Sequence, residues 1–240
     1  MKISVLFISL ICLVFMAFAQ EPDRLGVQSD AKMFTARSNG YESIQTFNKG
    51  AKGSQFYPVS WSPGELQTTD NARYNSGYLF TLDKVHQQLF VREAATSKIM
   101  NIDKAQIKKL RINTDGKDHI FAIADTYLNS KEGNFSEILV ENRDKYSLIK
   151  IITTSFVRAE NAGFTKMKDG EFSDEFVDNA SYYIVKSNLS PKKVILKEKS
   201  IEKAFSEKNI AEDYLKKNES AKKDEYFLIN IVNFINESLK

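Results

Sequence analysis

Between Gly64 and Lys197 ten short runs rich in β-branched and aromatic residues follow one another: GELQTT, GYLFTLD, QQLFVRE, SKIMNI, IKKLRI, HIFAIA, FSEILVE, YSLIKIITTSFV, SYYIVK and KKVILK. Asp, Asn, Gly and Lys turns separate them, and their starts fall roughly 8 to 12 residues apart, the spacing of an antiparallel meander. Tyr78, Phe80 and Leu82 alternate with Leu79 and Thr81, and Leu89 and Val91 alternate with Phe90 and Arg92. Such alternation predicts a sheet with one strongly buried face and one mixed face. No long helical pattern lies between the runs, which argues against parallel βαβ units and a nucleotide-binding α/β fold.

After Lys197 the period becomes helical. Ile201, Ala204 and Phe205 share a face, Asn209 to Glu212 reads as a capping box, and Ile210, Tyr214 and Leu215 continue as a buried stripe. In DEYFLINIVNFINESL the residues Asn230, Asn233, Asn236 and Glu237 recur every three to four positions, which predicts a mostly buried helix with a narrow solvent face. The expected fold is therefore α+β: an antiparallel β-sandwich or curved half-barrel with a C-terminal helical appendage. Its divisions are a signal peptide (1–19), a polar N-terminal lead-in (20–52), an antiparallel β domain (53–197) and C-terminal helices (198–240). Within the lead-in only one short strand, around Tyr41 to Phe47, is expected.

The signal peptide is read from one early lysine, an apolar run from Ile3 to Phe18, and Ala17-Phe18-Ala19 before Gln20. That run is shorter than the ~20 residues a membrane-spanning helix needs, so no transmembrane segment is expected after its removal. Cys12, the only cysteine, lies inside it behind a large Ile11, which argues against lipidation and leaves a mature chain without thiol chemistry or disulfides. The expected location is exported: periplasmic, associated with the cell surface, or secreted.

Lysine and arginine (34) barely outnumber acids (31) and are spread along the chain, so no nucleic-acid footprint is present. Hydrophobic residues make up 42%, including 17 Phe, enough for a packed core. Side chains for chemistry are sparse. The two histidines, His86 and His119, fall at turn-like places and read as solvated; no His spacing, HExxH or GxSxG motif supports a metal or a nucleophile. Asn113 to Asp118, NTDGKD, reads as an Asp-Gly hairpin turn rather than a calcium loop. Five Asn-x-Ser sequons, at Asn134, Asn179, Asn188, Asn218 and Asn236, are assigned no glycans. Glutamates interleave with the lysines of KEKSIEKAFSEK and KKNESAKK, so these helices read as solvated faces.

The stretch QFYPVSWSPGEL holds the only tryptophan and two of four prolines. Pro58 and Pro63 disfavour a central strand, so Phe56, Tyr57 and Trp61 are expected in an irregular segment that plugs an open end of the sheet. Left exposed around a cleft, the same three would stack a ligand, and they are the candidate ligand-binding residues. No catalytic residue, metal site or cofactor is assigned.

GSQFYPVSWSPGEL, a Tyr-containing turn, GYLFTLDKVHQQLFVRE and KIMNIDKAQIKKLRI, followed by SYYIVK, KKVILKEKSIEKAFSEKNIAEDYLKKN and DEYFLINIVNFIN, resemble a broad group of uncharacterised secreted proteins from Bacteroidetes. The likeness runs from about Gly53 to Asn236 and departs at VHQQ after Asp83, where an Asn/Asp-rich turn is more usual. It implies an exported, β-rich protein and carries over no active site. The expected function is a non-catalytic binding or scaffolding module of the periplasm or cell surface, engaging a protein, a glycan or an envelope lipid. The alternatives are a hydrolase using two carboxylates and a carrier enclosing an apolar ligand between sheet and helices.

Overall fold

The structure, a computed structural model, describes residues 34–37, 50–128, 131–159, 173–187 and 189–239. The expected signal segment, Cys12, the strand expected around Tyr41 to Phe47 and most of the lead-in lie outside these residues. Twelve strands occur among the described residues: β1 (Phe34–Arg37), β2 (Phe56–Thr68), β3 (Arg73–Tyr74), β4 (Tyr78–Asp83), β5 (Gln88–Glu93), β6 (Ile99–Ile102), β7 (Ile107–Thr114), β8 (Lys117–Ile123), β9 (Phe135–Val140), β10 (Tyr146–Val157), β11 (Glu175–Lys186) and β12 (Lys192–Val194). They join in one antiparallel sheet in the order β1-β6-β5-β4-β2-β7-β8-β9-β10-β11-β12, with β3 paired to β2 off this path. A short helix α1 (Asp125–Leu128) follows β8, and α2 (Glu198–Ala204), α3 (Lys208–Lys217) and α4 (Glu225–Ser238) close the chain. The α+β architecture follows the hydrophobic pattern, and each of the ten runs supplies a strand or part of one. At Asp115-Gly116 both residues have positive φ, 53° and 76°, as a two-residue hairpin turn requires.

The sheet is open but strongly curled. Six strand-to-strand steps separate β4 from β11, roughly 29 Å if flat. Yet the Lys84 ammonium, just after β4, lies 2.6 Å from Asp178 on β11. In the same β4–β5 turn, Gln87 Oε1 accepts the Phe135 amide of β9 at 2.7 Å. Inside the curl, Leu66, Phe80, Leu82, Leu89, Val91, Leu110, Ile112, Phe121 and Phe135 form one buried core.

β2 makes the curl possible by serving two neighbours in succession. Its first half pairs with β4 and its second half, from Gly64, pairs with β7. Gly64 sits where the two meet: a Cβ there would lie 2.2 Å from the Arg111 carbonyl oxygen. The expectation of an irregular segment over QFYPVSWSPGEL is therefore corrected. Pro58 is accommodated within a strand because the residues between Tyr57 and Ser62 bulge out of register against Thr81, whose hydroxyl donates to the Pro58 carbonyl at 2.9 Å, while Pro63 stands in register opposite Leu79 just before the strand changes partner at Gly64.

A second core lies under the helices. Tyr146, Leu148, Tyr182 and Ile184 of β10 and β11 pack with Ile201, Phe205, Leu215, Phe227, Leu228, Ile231 and Ile235. Phe234 packs against the same cluster. Ile201, Ala204 and Phe205 are buried as read, whereas of the α3 stripe only Leu215 is fully buried and Ile210 and Tyr214 are partly so, and two polar expectations are corrected. α3 begins at Lys208, so Asn209 lies inside it and no capping box forms; the residue before it, Glu207, spends its carboxylate on the Tyr146 hydroxyl (2.5 Å) and Lys186 (2.5 Å) instead.

Asn236 is buried rather than solvent-facing. β9 ends at Val140, opposite Leu148, which leaves Tyr146 beyond the reach of that strand. The Asn236 amide takes its place, donating to the Tyr146 carbonyl at 2.8 Å and accepting from its N–H at 2.9 Å. Lys145 adds hydrogen bonds to the Asn236 and Leu239 carbonyls, covering the C-terminal end of α4. No helix of the described residues is long and apolar enough to cross a membrane.

Candidate functional site

Strand alternation divides the three aromatic residues singled out from the sequence. Phe56 is buried against Phe90, ring centroids 6.3 Å apart, and Trp61 packs on the same pair with the Arg92 guanidinium 5.1 Å over its ring. Tyr57 points to the opposite face, where its ring meets His119 at 5.4 Å and Phe121 at 5.7 Å. Residues on opposite faces of one strand cannot form a single stacking platform. Phe56 and Trp61 are walls of one apolar cluster and Tyr57 of another.

Tyr57 borders a polar row that crosses the curled face between the two cores. His119 Nδ1 lies 2.6 Å from Glu137 Oε1, and Lys150 reaches Glu137 at 3.4 Å and Glu225 of α4 at 2.7 Å. The Tyr182 hydroxyl donates to Glu225 at 3.0 Å. Register puts these groups side by side, since Lys150 pairs with Glu137 on one flank and Tyr182 on the other. The reading of His119 as a solvated turn residue is thus corrected: it lies within β8, its side chain is 18% exposed, and its partner comes from the next strand. His86 fits the expectation better, being half exposed, although its Nδ1 lies 2.8 Å from the fully buried Asp83.

Burial, followed by the charge of Glu137, pushes the Tyr57 hydroxyl up to about 12, and burial together with Glu225 does the same to Tyr182. Burial pulls the Lys150 ammonium down, but its hydrogen bond to Glu225 and the charges of Glu137 and Glu225 outweigh this and raise it. The row's charges are satisfied by one another, so it acts as a fastening of α4 to the sheet.

A different place offers room. On the far face of β10 a groove of about 620 Å³ opens between α1, the β9–β10 turn and the end of β11. Its polar lining includes Thr126, Tyr127, Arg143, Ser147, Ser187 and Ser190. The β9–β10 turn is shaped by Asn142, whose side-chain oxygen accepts from the Asp144 and Lys145 amides at 3.1 and 3.0 Å. This turn leaves Arg143 exposed at its tip, without an ion pair among the described residues. Ser147 braces the floor by exchanging hydrogen bonds of 3.0 Å with the Asn142 backbone.

Tyr127 forms a wall. Its hydroxyl donates to Glu141 at 3.1 Å, and Lys109 holds the same carboxylate at 2.7 Å. Burial, then the neighbouring Glu141 charge, raises the Tyr127 hydroxyl to about 12. Burial would raise Glu141 as well, but Lys109 outweighs it and keeps that carboxyl below its ordinary range.

An aromatic wall, several hydroxyls and an exposed guanidinium suit a ligand rich in hydroxyl groups or negative charge. No Asp or Glu lines the groove among the described residues, so it lacks the facing carboxylate pair that glycoside hydrolysis uses. Sequence reasoning passed over this site because its residues come from polar turns, ENRDK and SNLSP, which served only as strand boundaries. Compared with known proteins, the chain matches no family model, no curated protein and no solved structure.

Proposed function

We propose that this chain is an exported, non-catalytic binding module that holds a polyhydroxylated ligand of the glycan class in the groove behind β10. The observation that carries the reading is the groove itself: about 620 Å³, within the size range of small-ligand sites, where hydroxyls, Asn142, Lys186 and the Arg143 guanidinium stand beside the Tyr127 ring and the aliphatic Val185 and Leu189. Export rests on the apolar N-terminal run, and the resemblance to secreted Bacteroidetes proteins agrees with it. The hydrolase reading gains nothing from a lining without carboxylates. The carrier reading gains nothing from a sheet–helix interface where Phe227, at 5% exposure, and Ile231, at 0%, occupy the space.

The test is a glycan array probed with the purified protein, followed by calorimetry on any hit with Arg143→Ala and Tyr127→Ala. Binding weakened tenfold or more by both substitutions, with melting temperature retained by Arg143→Ala, is the expected result. An array without hits, or a hit indifferent to both changes, overturns the proposal.

A further inference from the structure

The sequence reads KKVILK as one strand, yet β12 stops at Val194, whose side chain is buried at 2% exposure. Ile195 and Leu196 fall beyond the sheet and are 54% and 37% exposed. They are held out by structure. The Lys197 amide donates to the Ile195 carbonyl at 2.7 Å, the Ile195 amide donates to Ser200 Oγ at 3.1 Å, and the Ile201 amide donates to the Lys197 carbonyl at 3.0 Å. The aliphatic pair thus crowns a tight turn fixed between β12 and the first turn of α2.

Around it the charge is one-sided. Residues 192–199, KKVILKEK, carry four lysines and one glutamate. Lys193, Lys197 and Lys199 are exposed and make no ion pair among the described residues, while Lys192 donates to the Lys203 carbonyl. Interleaved glutamates weaken such a field along the helices that follow, but not at the turn.

A protein partner would need about 800 Å² of contact from this side, and two aliphatic side chains on a projecting tip supply far less. A small apolar tip collared by lysines instead suits an anionic bilayer, where aliphatic groups enter the acyl boundary and ammonium groups meet phosphates. We propose that the Ile195–Leu196 turn docks on anionic phospholipid surfaces, with Lys193, Lys197 and Lys199 on the headgroups. This surface is separate from the groove and stands or falls independently of it.

The test is sedimentation of the exported protein with vesicles of phosphatidylcholine alone or mixed with phosphatidylglycerol. Binding is expected only to the mixed vesicles and falls with added salt. Lys193→Gln, Lys197→Gln and Lys199→Gln together weaken it on the order of 100-fold, from about 1 kcal/mol per lysine near the surface. Ile195→Ser with Leu196→Ser weakens it about 10-fold or more through the lost apolar burial. As a second readout, Leu196→Trp in a Trp61→Phe background shifts its emission to the blue on mixed vesicles only. Equal binding to neutral vesicles, no vesicle binding, or binding unchanged by both sets of substitutions overturns the proposal. Capture of a protein through this turn without any vesicle binding also overturns it.

Discussion

Removing the Asn236 amide tests how α4 is tied to the sheet. In Asn236→Ala the Tyr146 N–H and C=O lose partners at 2.9 and 2.8 Å, at a place where Asn236 itself is only 8% exposed. Each buried backbone group left unsatisfied costs about 1 to 3 kcal/mol, so the pair costs about 3 kcal/mol once some water has entered the space of the lost side chain. For a domain of this size that lowers the melting temperature by roughly 6 to 12 °C. The urea midpoint falls by about 1 M or more. Thermal and urea unfolding of the wild type, Asn236→Ala and the exposed control Asn233→Ala measure it, with the control expected to stay within about 0.5 kcal/mol. If Asn236→Ala melts with the control, the amide is not standing in for a strand and the reasoning fails.

Three further outcomes follow from particular contacts. Gly64→Ala puts a methyl 2.2 Å from the Arg111 carbonyl and is expected to abolish folding or cost more than about 3 kcal/mol, whereas Gly77→Ala, with open space and φ of 84°, costs about 1 to 2 kcal/mol; urea unfolding ranks them. Lys84→Met removes one of the contacts that close the curl, and because Asp178 is 48% exposed the loss is about 1 to 2 kcal/mol, below that of a fully buried pair, read from thermal melts. Tyr57, Tyr127 and Tyr182 hold their protons to about 12, so ultraviolet titration shows them ionising well after the ordinary tyrosines. Their raised values add stability that is complete below the unfolded pKa near 10 and disappears as pH climbs from there towards 12. A single ionisation step for all tyrosines near pH 10, with no fall in urea stability above it, contradicts the burial argument.

Strands with continuous apolar runs between turn residues were legible because burial on both faces, as at Phe80 to Leu82, Leu89 to Val91 and Tyr146 to Ile149, fills them with β-branched and aromatic side chains. YSLIKIITTSFV, GYLFTLD and QQLFVRE fall within one residue of β10, β4 and β5. The first half of β2 was not legible, because Pro58 is carried by a bulge against β4 and Pro63 sits where the strand changes partner, neither of which is a local pattern. The beginning of β11 was also missed: Asp178 and Asn179 look like loop residues, and their place is set by full-length pairing with β10 rather than by an apolar face. Asn236 keeps the helical period of its polar neighbours, and only the early end of β9 makes it an interior residue. The groove's residues come from three separate segments that the pairing of β8, β9, β10 and β11 brings side by side, so no local pattern marks them.

The tie between Tyr146 and Asn236 spans 90 positions of chain and involves one of the last elements of the fold. Phe227, Leu228, Ile231, Val232 and Ile235, which complete the apolar layer over β10 and β11, all belong to that element too. α4 follows β10 and β11 in the chain, so during synthesis these two strands wait with an uncovered apolar face until it has left the ribosome. The order of elements along the chain therefore sets when that apolar layer can close.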